Sequence, residues 1–382
     1  MSTVVTPAAR ARWAVVVLGT AALVSVLGFG PRAVAALGVT PTELEPQAVA
    51  ARAAASADVP YSATGESRGA LALPDLRGFG DLASLLGDTT QTRTWWGDEA
   101  HWRVDVVDVT GERDTYGLPR SVWTWDYGRR ELVTVTGGAT ARLPRADDLL
   151  PPQATRRLLA AVGPDDAVTA LPPQRVGGRT ADRVRVSPGD GRSTIARADV
   201  WVDRETGLPL RLVVVGTDGS DALTTELSRV TVGRPDPAVL TPPAAPGAER
   251  ELRTAPDLVG RVAQASRWLL PPSLAGLPVT PGRQAPGDVT TYGTGLVRVA
   301  VLPLPPDVAR DVVGGATSAG SVVEEVPDGR LVRIGSSLLN AVLATSADGR
   351  RAYVVTGLVD PGLLDEAAAD LLDAEPEGRG PR

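Results

Sequence analysis

Between Tyr61 and Val232 apolar and polar residues alternate with period two, and this pattern restricts the possible folds more than any other feature. Strict alternation places every second side chain on the same face of an extended strand, so this stretch predicts antiparallel strands with one buried face. Val104 and Val106 alternate with Arg103 and Asp105. Val184 and Val186 alternate with Arg183 and Arg185, and Ala198, Val200 and Val202 with Arg197, Asp199 and Trp201. Asp203 to Gly207 supplies a turn, and Leu210 to Val215 the returning strand, with Pro209 at its first position, where a missing N–H costs least. A helix over Gln153 to Val162 interrupts the strands, and an Ala-rich segment, Thr42 to Ala57, predicts another, with Thr42 and Glu45 as a capping box.

The remaining length divides around this core. Arg10 and Arg12 precede an uncharged run from Trp13 to Gly30, followed by Ala33-Val34-Ala35, a small-x-small cleavage pattern. Residues 1–36 are therefore expected to be a signal peptide or a single transmembrane anchor, and both place the rest outside the cytoplasm. Residues 42–240 form the strand-rich domain. Pro235, Pro237, Pro242, Pro243 and Pro246 mark a boundary, with 241–254 as a Pro/Ala-rich linker. Strand signals at Leu296 to Val301, Leu331 to Ile334, Ala341 to Thr345 and Ala352 to Thr356, then a helix opened by Asp360-Pro361, predict a small α+β domain over 255–373. Residues 374–382 read as a disordered tail. The overall class is α+β.

Composition removes several functions. With no Cys there are no disulfides, thiolate metal sites or cysteine nucleophiles, and His101 is the sole imidazole. A formal charge of -6 removes the electrostatic motive for a nucleic-acid partner. Asp98 and Glu99 beside His101 read as a solvated turn before an acid–base cluster, and a hydrolase built on His101 is a remote third reading. Asp147-Asp148 and Asp165-Asp166 read as helix-start caps. Gly78-Phe79-Gly80 and Gly314-Gly315 lack a phosphate-loop context and read as turns. No catalytic residue, metal or cofactor is implied.

The aromatic residues are more informative. Trp95, Trp96, Trp102, Trp123 and Trp125 lie within one short stretch, and Trp123, Trp125 and Tyr127 share a strand face by alternation. Trp95, Trp96, Trp123, Trp125 and Tyr127 are thus candidates to line a concave, ligand-holding sheet, against the alternative that they fill an ordinary core.

The string Ala198-Asp199-Val200-Trp201-Val202-Asp203 followed by Thr206-Gly207-Leu208-Pro209-Leu210-Arg211 resembles a recurring motif of the RseB/MucB family of exported regulators, carried here by Trp201, Asp203, Gly207, Leu208 and Pro209. Pro60-Tyr61-Ser62-Ala63 after the Ala-rich helix, Tyr292 to Val301 and Tyr353 to Gly357 resemble it more weakly. The resemblance implies a half-open antiparallel β-barrel wrapped around helices, like the lipoprotein carriers LolA and LppX, followed by a small domain. It also implies binding without chemistry: an extracytoplasmic sensor or regulator of a membrane protein partner, an anti-sigma factor, with a possible lipid ligand. The alternative is a lipid or lipoprotein carrier holding acyl chains in the half-barrel.

Overall fold

The computed structural model describes residues 40, 43–69, 87–107, 111–137, 144–255, 270–281, 289–318 and 321–374. The uncharged N-terminal run, Thr42, Gly78 to Gly80 and the tail from 375 lie outside these residues. Among the described residues no helix is long and apolar enough to cross a membrane.

Twelve strands build one sheet: β1 Tyr61–Gly69, β2 Thr89–Asp98, β3 His101–Val107, β4 Glu112–Leu118, β5 Ser121–Asp126, β6 Glu131–Thr136, β7 Ala167–Val176, β8 Arg179–Ser187, β9 Ile195–Asp203, β10 Pro209–Gly216, β11 Asp221–Val232 and β12 Glu249–Thr254. Their spatial order is β12-β6-β5-β4-β3-β2-β1-β11-β10-β9-β8-β7, so the sheet is not closed and β12 and β7 are its edges. Helices α1 Pro46–Ala54 and α2 Pro151–Ala161 cover one face. Val49 and Ala53 of α1, one turn apart, pack with Val184, Val200 and Leu212, which pair in register across β8, β9 and β10. Helix α1 begins at Pro46 with Glu45 in the cap position and no side-chain cap.

The segment expected to be a linker differs from that expectation. Glu249–Thr254 pairs in parallel with β6, residue for residue from Glu249↔Glu131 to Thr254↔Thr136. The last proline before it is Pro246, so Glu249 to Thr254 all retain the N–H groups a ladder needs. Proline density set the expected boundary; the proline-free end of the stretch obeys different chemistry.

A second sheet of six strands follows: β15 Thr290–Thr294, β16 Val297–Pro303, β17 Val323–Val326, β18 Gly329–Gly335, β19 Asn340–Ser346 and β20 Ala352–Gly357, after the two-residue pair β13 Ser273–Leu274 and β14 Leu277–Pro278. Helix α4 Pro361–Asp373 buries Leu363, Leu364, Ala367, Ala368, Leu371 and Leu372 against it, with the Asp360 carboxylate accepting the Gly362 N–H at the N-terminus. Helix α3 Pro306–Ser318 corrects the turn assigned to Gly314-Gly315, because both glycines lie inside it. Ala309 and Ala316 are buried, and Val312 and Val313 pack on Val332 and Leu343. That contact overrides a glycine cost of roughly 1 kcal/mol per residue.

The two sheets are joined by a latch. The Asp166 carboxylate accepts backbone N–H groups from Gly163 (2.8 Å), Gly189 (3.0 Å) and Leu296 (3.0 Å), the last on the β15–β16 turn of the second sheet. Asp165-Asp166 was expected to cap a helix, but α2 has ended at Ala161 and Asp166 instead ties three chain segments together. Close by, Thr194 N–H donates to Leu358 O and Thr194 Oγ1 to Leu338 O at 2.6 Å. Asp166→Ala strands three donors at once, so it should cost about 2 kcal/mol. In scanning calorimetry we expect one transition to split into two; an unchanged single transition would show that the latch couples nothing.

Candidate functional site

Register separates the aromatic residues into two sets. On the helix-covered face Tyr61, Trp96, Trp102 and Gly117 stand directly opposite one another across β1 to β4. Tyr61 and Trp96 stack at 6.4 Å, Trp96 and Trp102 at 5.8 Å. The Trp102 ring lies over Gly117, where a Cβ would come within 2.1 Å of the indole. Trp96 donates its indole N–H to Ala57 O at 3.0 Å, and Leu150 joins the same cluster. These rings are close-packed core. Burial in this core pushes the Tyr61 phenol well above its ordinary pKa, against the lowering influence of Arg156 and Gln153.

The opposite face carries the other set. Trp95, Arg103, Tyr116 and Trp123 form one cross-strand row, and Arg93, Asp105, Asp114 and Trp125 the next. Trp95 and Trp96 are neighbours in β2 and so point to opposite faces. The five aromatic candidates therefore do not line one surface, and Trp123 and Trp125 face away from the helices. Tyr127 follows the end of β5, is 49% exposed, and meets Trp125 edge-on at 5.5 Å.

The charged residues of the two outer rows form a cluster, and it includes Arg103 and Asp105, the polar positions of the β3 alternation. Arg103 lies 5.0 Å over both the Trp95 and the Tyr116 rings. It donates through Nε and Nη2 to Asp105 (2.6 and 2.9 Å) and through Nη2 to Asp114 (2.8 Å). Arg93 pairs with Glu112 and approaches Asp105 at 3.6 Å. Both aspartates are 0% exposed. Burial and then the neighbouring Asp105 charge push Asp114 up to about 7, while burial raises Asp105 against the pull of Arg103.

Carboxylate oxygens of Asp105, Glu112 and Asp114 lie within 4.8 Å of one another, a geometry that could ligate a metal ion. The fit is poor. Arg103 already pairs with Asp105 and Asp114 and Arg93 with Glu112, so a hard divalent cation would sit beside two fixed positive charges. The cluster is an ion-pair network with one carboxylate in excess.

Along the same face Trp201 is sandwiched between its cross-strand neighbours Arg183 (4.5 Å) and Arg211 (4.8 Å), with its indole N–H on Gln174 Oε1 at 2.8 Å. This makes β9 buried on both faces, where one had been expected. Beyond it the turn closes. Asp203 accepts Arg179 in bidentate fashion (2.9 and 3.0 Å) and both the N–H and hydroxyl of Thr206 (3.0 and 2.5 Å). Gly207 adopts φ +78°, where any other side chain is strained, and a Cβ there would lie a tight 3.0 Å from Arg52 O. Arg52, in the last turn of α1, donates to Arg204 O and Glu205 O, so the turn docks the helix. Leu208 and Leu210 are fully buried, and Pro209 pairs opposite Val202.

The trio at the β2–β3 turn is a turn in the structure as well: Asp98 Oδ1 accepts the Ala100 N–H and contacts His101 Nδ1, each at 2.9 Å. Asp148 accepts the Arg145 N–H at 2.8 Å, and Asp147 pairs with the Arg145 guanidinium. A polar cavity of about 240 Å³ at the junction of the two sheets is lined by Asp165, Asp166, Asp190 and Arg192 among others. It is below the usual volume of small-molecule sites.

Residues 146–244, which span α2, β7 to β11 and the Trp201–Pro209 motif, match the MucB/RseB N-terminal domain family. This segment is RseB/MucB-like. Among solved structures the chain is similar to MucB, at 19% identity and TM-score 0.45, covering 86% of this chain and 98% of that one. It is also similar to the Pseudomonas aeruginosa MucA/MucB complex, at 19% identity and TM-score 0.43, covering 85% and 96%. LprF from Mycobacterium bovis aligns at 14% identity and TM-score 0.30, covering 52% of this chain and 99% of that one. No curated protein matches the chain. In the RseB/MucB-like segment, the motif residues do structural work: Trp201 and Asp203 are held by arginines, and Gly207 to Pro209 shape the turn that seats α1.

Proposed function

We propose that this protein is an extracytoplasmic regulator without enzymatic chemistry, which binds the outer segment of a membrane-anchored anti-sigma factor. The observation that carries this reading is the RseB/MucB-like match over residues 146–244, centred on the Trp201–Pro209 motif. The two arginines and uncharged run at the N-terminus support export, with retention as an anchor favoured over cleavage near Ala35. Residues 42–240 act as the regulator's main domain and 255–373 as its second. The carrier reading is weaker, because on the helix-covered face Trp96 is stacked between Tyr61 and Trp102, so that these rings fill core.

A pull-down from detergent-solubilised membranes of the native cell, read by mass spectrometry beside a fluorescent fatty-acid displacement assay, separates the two. The proposal expects a single-span membrane protein encoded with a sigma factor and no displaceable fatty acid. Displacement without any membrane protein recovered would replace it with the carrier.

A further inference from the structure

Asp105 and Asp114 stand directly opposite each other on β3 and β4, both fully buried. A row of buried carboxylates is unstable unless each negative charge is answered. The groups facing them are Arg93 from β2, Arg103 from β3, Glu112 and Tyr116 from β4, and Tyr127 after β5. Three carboxylates thus meet two guanidinium groups, a deficit of one positive charge. Arg103 saturates both oxygens of Asp105 and reaches Oδ2 of Asp114. The remaining atom, Asp114 Oδ1, is buried without a hydrogen-bond partner. A proton on that oxygen supplies both the missing charge and the missing hydrogen bond, donated to the neighbouring carboxylate.

We propose that Asp105 and Asp114 hold one proton between them in mildly acid surroundings, and that its loss as pH rises through neutrality loosens the β2–β5 part of the sheet, making the outer aromatic face a pH-responsive surface. The proton is the ligand here, and the device depends on the ladder alone, not on which partner the protein binds. The raised carboxyl of Asp114 agrees with this geometry. The direction follows from linkage. The unfolded chain releases this proton near 3.8 and the folded chain near 7, so folding loses stability from this group as pH rises through that window, and loses no more above it.

The test is a pH series of thermal melts on the full chain and on Asp114→Asn, whose amide replaces the protonated carboxyl. Other carboxylates titrate in both proteins, so the difference between the two curves is what is read. The proposal expects the variant to gain on the wild type as pH rises from 3.8 to about 7, then to hold a constant lead, while the wild type alone shows a change in tryptophan fluorescence centred near neutrality. Curves separated by one constant margin at every pH would overturn it. Should Asp114→Asn fail to fold, infrared spectroscopy of the wild type decides: a protonated-carboxyl C=O stretch present in mildly acid solution, above the ordinary carboxylate range, and lost as pH rises past neutrality supports the shared proton, and its absence in mildly acid solution contradicts it.

Discussion

Trp96→Ala should destabilise the large domain by about 3–5 kcal/mol, whereas Trp125→Ala should cost only about 1 kcal/mol. Trp96 is 4% exposed, stacked between Tyr61 and Trp102 and hydrogen-bonded to Ala57 O, so its removal opens a cavity that two neighbouring rings line and cannot close. Trp125 is half-buried on the opposite face, with the exposed Tyr127 as its ring partner, and water can fill its place. Urea unfolding of the two variants measures the contrast directly. Equal losses would mean that the outer face is as closely packed as the inner one, and the division of the aromatic residues by register would have no energetic meaning.

Asp203→Ala should cost about 3 kcal/mol or more, because it removes the partner of a guanidinium while deleting two turn hydrogen bonds. Asp203 is 1% exposed, and Arg179 is left with only the exposed Glu205 carboxylate. The loss should also reach α1, since Arg52 is held by carbonyls of the same turn. Hydrogen exchange should therefore show faster amide exchange in Pro46–Ala54 as well as in the β9–β10 hairpin. Exchange raised at the hairpin alone would separate the turn from helix docking.

Much of the fold could be read before the structure because its determinants are local. The β9–β10 hairpin follows from Asp203 to Gly207, where an acceptor side chain and a glycine at positive φ make one turn chemically favourable. Helix α4 follows from Asp360-Pro361 and its apolar stripe. What stayed hidden depends on residues far apart in the chain. Alternation places Trp95 and Trp96 on different faces but cannot say which face the helices cover. It reads Asp105 and Asp199 as solvated, because it has no means of seeing that Arg103, Arg183 and Arg185 fold over them. Asp166 resembles a helix cap until Leu296, distant in sequence, arrives to use its carboxylate. The strand Glu249–Thr254 was obscured by the prolines before it.

The outer face also gives the RseB/MucB-like segment a physical character. Its motif tryptophan is fixed between two arginines, so the conformation of β8 to β10 is held by guanidinium stacking as well as by the apolar core. A partner that docks on this half of the sheet meets a pre-organised surface and loses little entropy in ordering it.

The most direct test of the regulatory reading is calorimetric titration of the purified extracytoplasmic part of this protein with the outer segment of the anti-sigma factor encoded beside its sigma factor. The account predicts saturable, one-to-one binding that weakens when Asp203→Ala loosens the motif turn. No heat and no complex at concentrations where both proteins are folded would contradict it.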